Sequence, residues 1–308
     1  MKHSKLLILP LAFSFLLAGC GKNIPTEPIS YGKLEDTTTK LYNENKTLSD
    51  TKFEPYETSG KCLMTTTTTN ADGDSLKTNF SYSFDFKNDL TTLLLNETTK
   101  VSIEEKVDGK TEKIKTTETN KLALNHISDE KQQLYIFKSV ESNASGEANK
   151  ISNSGKVVID SDGSSNVDTL DGNITILLKN NYRKYSNELL KKFKDLVEAD
   201  QYNEYATFAY GEKDNCKRFV INEETEGIDT ICTLDFKNDL VTSLVITSDN
   251  RIKEPDGTKT ILNIDISTSI NKLNKKLTFP DDKKAVEISP YDGLNVLKEI
   301  KFYNFSTN

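Results

Sequence analysis

Apolar and polar residues alternate with a period of two along much of this chain. Phe80, Tyr82, Phe84 and Phe86 take one parity, and Ser81, Ser83, Asp85 and Lys87 take the other. That pattern predicts a strand with one aromatic face and one polar face. Cys232, Leu234 and Phe236 alternate in the same way. So do Leu262, Ile264, Ile266 and Ile270, with Asn263, Asp265 and Ser267 opposite them. Two stretches carry a helical period instead. Tyr182, Tyr185, Leu189, Phe193 and Leu196 form one apolar stripe, and Tyr31, Leu34, Leu41 and Tyr42 form a weaker one, with Ser30 placed to cap it.

The two sets are copies of one unit. The word Asp85-Phe-Lys-Asn-Asp-Leu90 returns as Asp235-Phe-Lys-Asn-Asp-Leu240, and Thr92/Thr242 and Leu94/Leu244 also match. Glycine turns precede each aromatic strand at Gly73 and Gly227, and Asp-Gly turns follow at Gly109 and Gly257. Each copy therefore reads as a helix followed by a four-stranded antiparallel meander. Phe86 and Phe236 are expected at equivalent inward positions. The first copy runs on into strands expected at 133–138, 156–160 and 173–178, with 141–155 read as a Ser/Asn/Gly-rich loop. The fold class expected is α+β, with duplicated helix-plus-meander units forming a large curved, half-barrel-like sheet covered by helices. The expected boundaries are a leader at 1–19, a tether at 20–30, a first unit at 31–178, a second at 179–286 and a tail at 287–308. Two domains and one continuous sheet both fit such a duplication.

Composition narrows the partners. The 308 residues carry a formal net charge of −7, with no basic block. That argues against nucleic acid, and against attraction of the chain to an anionic membrane by charge. Beyond the first residues, no apolar run is long enough to cross a bilayer. Cys216 and Cys232 flank a predicted hairpin and are candidates for a disulfide, or else two reduced core cysteines. No Cys-x-x-Cys or paired His suggests zinc, so neither metal nor cofactor is expected. His126 has no triad partner in view, and the Asp-Gly stretch at 160–163 reads as turn chemistry rather than a calcium loop. With no P-loop, nucleophile elbow or dinucleotide fingerprint, an enzyme is not expected.

At the N-terminus, Lys2 and Lys5 precede an apolar run from Leu6 to Leu17, and Leu17-Ala-Gly-Cys20 closes it. This layout resembles a bacterial lipoprotein signal peptide. The resemblance implies cleavage before Cys20, a diacylglyceryl group on its thiol, and a protein anchored by lipid at the extracytoplasmic face of a cell membrane. The mature part resembles LolA-like carriers and LppX-type lipoproteins. It shares with them an amphipathic helix entering a long meander, turns at a hydrophobic-Asp-x-x-Asp-Leu word, and the closing segment Leu277-Thr-Phe-Pro-Asp-Asp282. That resemblance implies a lipid or other apolar ligand held between sheet and helices, with Tyr182, Tyr185, Leu189, Phe193 and Leu196 lining it. The alternative reading is an envelope structural or interaction lipoprotein with a filled core.

Overall fold

The computed structural model describes residues 24–49, 53–128, 131–144, 147–160, 182–201 and 203–289. Cys20, the leader and the strand expected at 173–178 lie outside them. Thirteen strands form one sheet in the order β1-β8-β9-β10-β11-β12-β2-β3-β4-β5-β6-β7-β13. The first half supplies β2 (Tyr56–Thr69), β3 (Ser75–Asn88), β4 (Thr92–Val107), β5 (Lys110–Ser128), β6 (Lys131–Ala144) and β7 (Glu147–Asp160). The second supplies β8 (Ala206–Lys213), β9 (Cys216–Thr225), β10 (Ile228–Lys237), β11 (Leu240–Lys253) and β12 (Lys259–Lys272). β12 pairs with β2 from Lys259↔Thr69 to Lys272↔Tyr56. Of the two arrangements open to the duplication, the continuous sheet is the one adopted.

Two helices, α1 (Tyr31–Ser49) and α2 (Tyr182–Ala199), pack against each other and against one face of the sheet. Lys194 Nζ ties them, donating to Thr39 Oγ1 at 2.8 Å. Leu34 and Leu41 of α1 are buried as its stripe predicts. Burial is concentrated at one end of the strands, here called the base. Phe86, Leu93, Leu124, Leu134, Phe219, Leu234 and Phe236 belong there to one buried cluster with the helix residues. Phe86 and Phe236 sit in the same core at 1% and 0% exposure, as the matched alternation requires.

The expected α+β half-barrel is corrected to a mostly β architecture. The reason is dimensional. The strands β2 to β7, of 14 to 19 residues, are about 45–60 Å long, and the thirteen strands side by side span about 60 Å. Helices of 19 and 18 residues reach only about 28 Å. They cover the base of one face and cannot close the sheet. The first and last strands, β1 (Glu27–Ile29) and β13 (Val286–Glu287), stay separate among the described residues, so the sheet is open.

Three local expectations also change. The loop read at 141–155 is instead the tip of the β6–β7 hairpin, paired from Ala144↔Glu147 to Lys131↔Asp160. The small polar residues 141–144 form strand between β5 and β7, and those from 147 on ladder onto β6. Part of the expected tether is β1 (Glu27–Ile29), which pairs with β8. An edge position accommodates Pro28, which has no N–H to offer a second neighbour. Cys216 pairs with Lys237 and Cys232 with Ile221. The two cysteines thus lie five rungs apart and on opposite faces, beyond the reach of a disulfide, and both thiols are free. The closing segment crosses the outer face at the base. Phe279 and Ala285 pack there on Leu94, Ala123, Tyr135 and Phe137, and β13 (Val286–Glu287) then joins β7 in parallel.

Candidate functional site

The helix-bearing face is the chemically distinctive part of the molecule. Under α2, Tyr182, Tyr185, Leu189 and Phe193 are buried as expected. Leu196 is not; it is 37% exposed, and Leu190 and Val197 take the inward places. The stripe therefore runs on from Phe193 by four residues rather than three. Tyr185 stacks on Tyr56 with ring centroids 5.8 Å apart, and Phe193 meets Phe219 at 6.2 Å. The Val241 N–H donates to Ser186 Oγ at 2.7 Å, pinning the helix to β11.

Beneath α2 the core contains polar groups. Tyr82 OH donates to Glu97 Oε1 at 2.7 Å in a buried setting. Burial, followed by the neighbouring carboxylate, holds the Tyr82 phenol well above its ordinary range. Burial pushes the Tyr185 phenol up to about 12. Glu188 is also raised by burial, while Lys184 and Lys192 pull it back down. Gly60 is required here. A Cβ on it would lie 2.3 Å from Cε1 of Phe84, whose ring crosses the glycine. The expected ligand-lining residues thus belong to a packed core of aromatic rings and hydroxyls.

Beyond the helices the apolar face continues toward the strand tips. Register sets Ile264, Met64, Phe80 and Val101 in one transverse row. The next row toward the tips is Leu262, Thr66, Thr78, Ile103 and Ile114. Ile103 is 38% and Ile114 48% exposed. Two rungs further out on the same face, Glu105 stands directly opposite Glu112, both exposed. The alternation of β3 and β12 shows this face in the sequence. Its lack of cover does not show there, because cover depends on how far the helices reach.

Among the described residues no group of His, Cys, Asp or Glu could hold a metal ion. No helix among them is long and apolar enough to cross a membrane. His126 lies at the base end of β5, where its N–H donates to the Thr91 carbonyl at 2.8 Å.

No family model and no curated protein matches this chain. Among solved structures it is similar to Ail, the attachment invasion locus protein of Yersinia pestis, crystallised with sucrose octasulfate. That match has 6% identity and a TM-score of 0.21, over 71% of this chain and 99% of that one. Neisserial surface protein A matches at 5% identity and a TM-score of 0.19, over 70% of this chain and 96% of that one. A Pseudomonas aeruginosa FadL homologue matches at 6% identity and a TM-score of 0.22, over 75% of this chain and 94% of that one. TM-scores this low carry no inference about activity. The neighbours are nonetheless outer-membrane β-barrel proteins and not lipoprotein carriers. The expected kinship with LolA-like and LppX-type carriers, and the lipid-anchored carrier function drawn from it, are corrected by the mostly β architecture, whose described helices cover only the base of one face. The packed core under α2 agrees with the correction. The expected attachment through a lipid on Cys20 is not carried forward, and Cys20 lies outside the described residues. A membrane location is the part of the expectation these neighbours share; the lipid-anchored face is not.

Proposed function

We propose that this chain is a membrane-associated docking scaffold without catalytic chemistry. Its working surface is the tip half of the helix-bearing face, and the occupant is a basic amphipathic helix of a partner protein. The observation that carries this reading is the run of apolar rows past the ends of α1 and α2, from Phe80 and Met64 to Ile103 and Ile114. The same face already seats two amphipathic helices at the base, so its pleat suits a helix laid across the strands. Charge selects among helices. Glu105 and Glu112 are like charges on one rung, an arrangement that costs stability until a cation sits between them. A helix with an apolar stripe flanked by lysines supplies both requirements.

A designed Leu/Lys amphipathic peptide and its Leu/Glu counterpart are the probes. Anisotropy titration should show binding of the Leu/Lys peptide to the parent and little binding of the Leu/Glu one. Paired Ile103→Asp and Ile114→Asp substitutions should weaken binding at least about tenfold, since each removes an exposed apolar contact. Thermal melting should hardly change. Equal binding of both peptides, or binding indifferent to the double substitution, would defeat the proposal.

A further inference from the structure

The opposite face of the sheet carries a second surface. On β2 to β5, register places Lys61, Lys77, Lys100, Lys106, Lys115 and Lys121 on one side, all exposed. Their cross-strand neighbours are mostly Ser, Thr and Asn, such as Ser83 beside Lys61, Ser81 and Thr117 beside Lys100, and Ser102 beside Lys115. Two carboxylates in the field are already held by other lysines on the same face, Asp85 by Lys87 at 2.6 Å and Glu104 by Lys113 at 2.5 Å. Glu57 lies at the base end, outside the lysine rows. The helix-bearing side of the same strands carries Glu97, Glu105, Glu112 and Glu118, with Lys110 as its one basic residue. The strands thus separate their charges by face, although the chain as a whole is acidic at −7.

We infer that this lysine-dotted face docks against an anionic lipid bilayer. The shape of the field selects a surface over a linear polyanion. The six lysines spread over about 14 Å across the strands and about 33 Å along them. A polysaccharide or nucleic acid strand would engage one row, whereas a headgroup plane engages the whole area. Tipward of the patch covered by Phe279 and Ala285, the face offers point charges and hydroxyls with few large apolar side chains to insert. Binding is therefore electrostatic and peripheral, and each lysine near an anionic leaflet contributes about a fivefold gain in partition. This surface does not involve the face proposed for helix docking, so either reading can fail alone.

Co-sedimentation of the full chain with phosphatidylcholine vesicles, and with mixed phosphatidylglycerol/phosphatidylcholine vesicles, tests the inference. Binding to the neutral vesicles measures whatever the N-terminal apolar run contributes, and it cancels in the anionic-to-neutral ratio. The parent should prefer anionic vesicles at low salt. It should lose that preference near 1 M salt, where the screening length is about 3 Å. The triple variant Lys77→Gln, Lys100→Gln, Lys115→Gln should lower the ratio about a hundredfold. The triple Lys33→Gln, Lys40→Gln, Lys191→Gln, which changes net charge equally on the helices, should leave it nearly unchanged. Arg at positions 77, 100 and 115 should keep the preference, which separates charge from folding. The inference is overturned by a parent that shows no anionic preference at low salt, or by equal losses in both Gln triples. Retention by a sulfated polysaccharide with indifference to vesicle charge would overturn it as well.

Discussion

Asp235 and Asp85 hold matching places in the repeated word, yet they live in different surroundings. The Asp235 side chain is 3% exposed and is gripped by Arg218 through Nε at 2.7 Å and Nη2 at 2.8 Å. Ser243 Oγ donates to it at 3.3 Å. Asp85 is 44% exposed and meets only the flexible Lys87 ammonium two residues away. Asp235→Ala should cost about 3–5 kcal/mol, because it leaves a guanidinium half-buried without its partner. Asp85→Ala should cost less than about 1 kcal/mol. Urea denaturation of the two variants checks the contrast. Glu188 gives a pH signature. Burial raises its folded pKa above the unfolded value, so its charge is costlier in the folded chain. The penalty is absent below the ordinary carboxylate range and grows as pH rises through the raised value. Glu188→Gln should therefore be more stable than the parent near neutral pH and equal to it near pH 3, as read from denaturation midpoints at the two pH values.

The helices and turns show how elements settle small ambiguities. Four apolar residues of the α2 stripe point where their spacing says, but the last inward place goes to Val197 at 1% exposure rather than Leu196 at 37%. Leu196→Ser should change stability by no more than about 0.5 kcal/mol, while Val197→Ala should cost about 2 kcal/mol. Melting curves of the pair distinguish the two faces. The repeated Lys-Asn-Asp-Leu word makes two different turns. In the second copy Asn238 and Asp239 both have positive φ, at 51° and 63°, and Lys237 pairs with Leu240 in a two-residue hairpin. In the first copy only Leu90 is left-handed, at 73°, and the first rung is Asn88↔Leu93. A register shift between Asp235 and Phe236 then puts Leu244 in the main core, while its counterpart Leu94 packs on the opposite face.

At the scale of the molecule, duplication built one wide sheet. The join between β12 and β2 is as long as the pairings inside either half. Its outer strands, β1 and β13, are three and two residues long, and β13 pairs only with Gly155 and Lys156, so among the described residues most of β7 has a strand on one side alone. The two broad faces are free to act separately. One is apolar with an acidic tip; the other is hydroxylated and, over β2 to β5, basic. A peptide-binding loss from Ile103 and Ile114 that leaves vesicle binding intact, and the reverse for Lys77, Lys100 and Lys115, would show that independence.

Much of this was legible in the residues themselves. Period-two alternation marks the strands and which side chains share a face. The matching inward positions of Phe86 and Phe236 and the burial of Phe193 follow from periods that the backbone imposes. Other features depend on contacts between distant parts. The turn at Asp89 is held by the Leu277 N–H donating to its Oδ2 at 2.7 Å, and the turn at Asp239 by Asn45 Nδ2 donating to its carbonyl at 2.6 Å. The same six residues thus close differently under different neighbours. The separation of Cys216 from Cys232, the uncovered tip and the basic face arise in the same way. Alternation tells on which side of its own strand a lysine lies. Only the register of four strands, set by their turns and neighbours, gathers those lysines into one field and leaves most of the glutamates behind it.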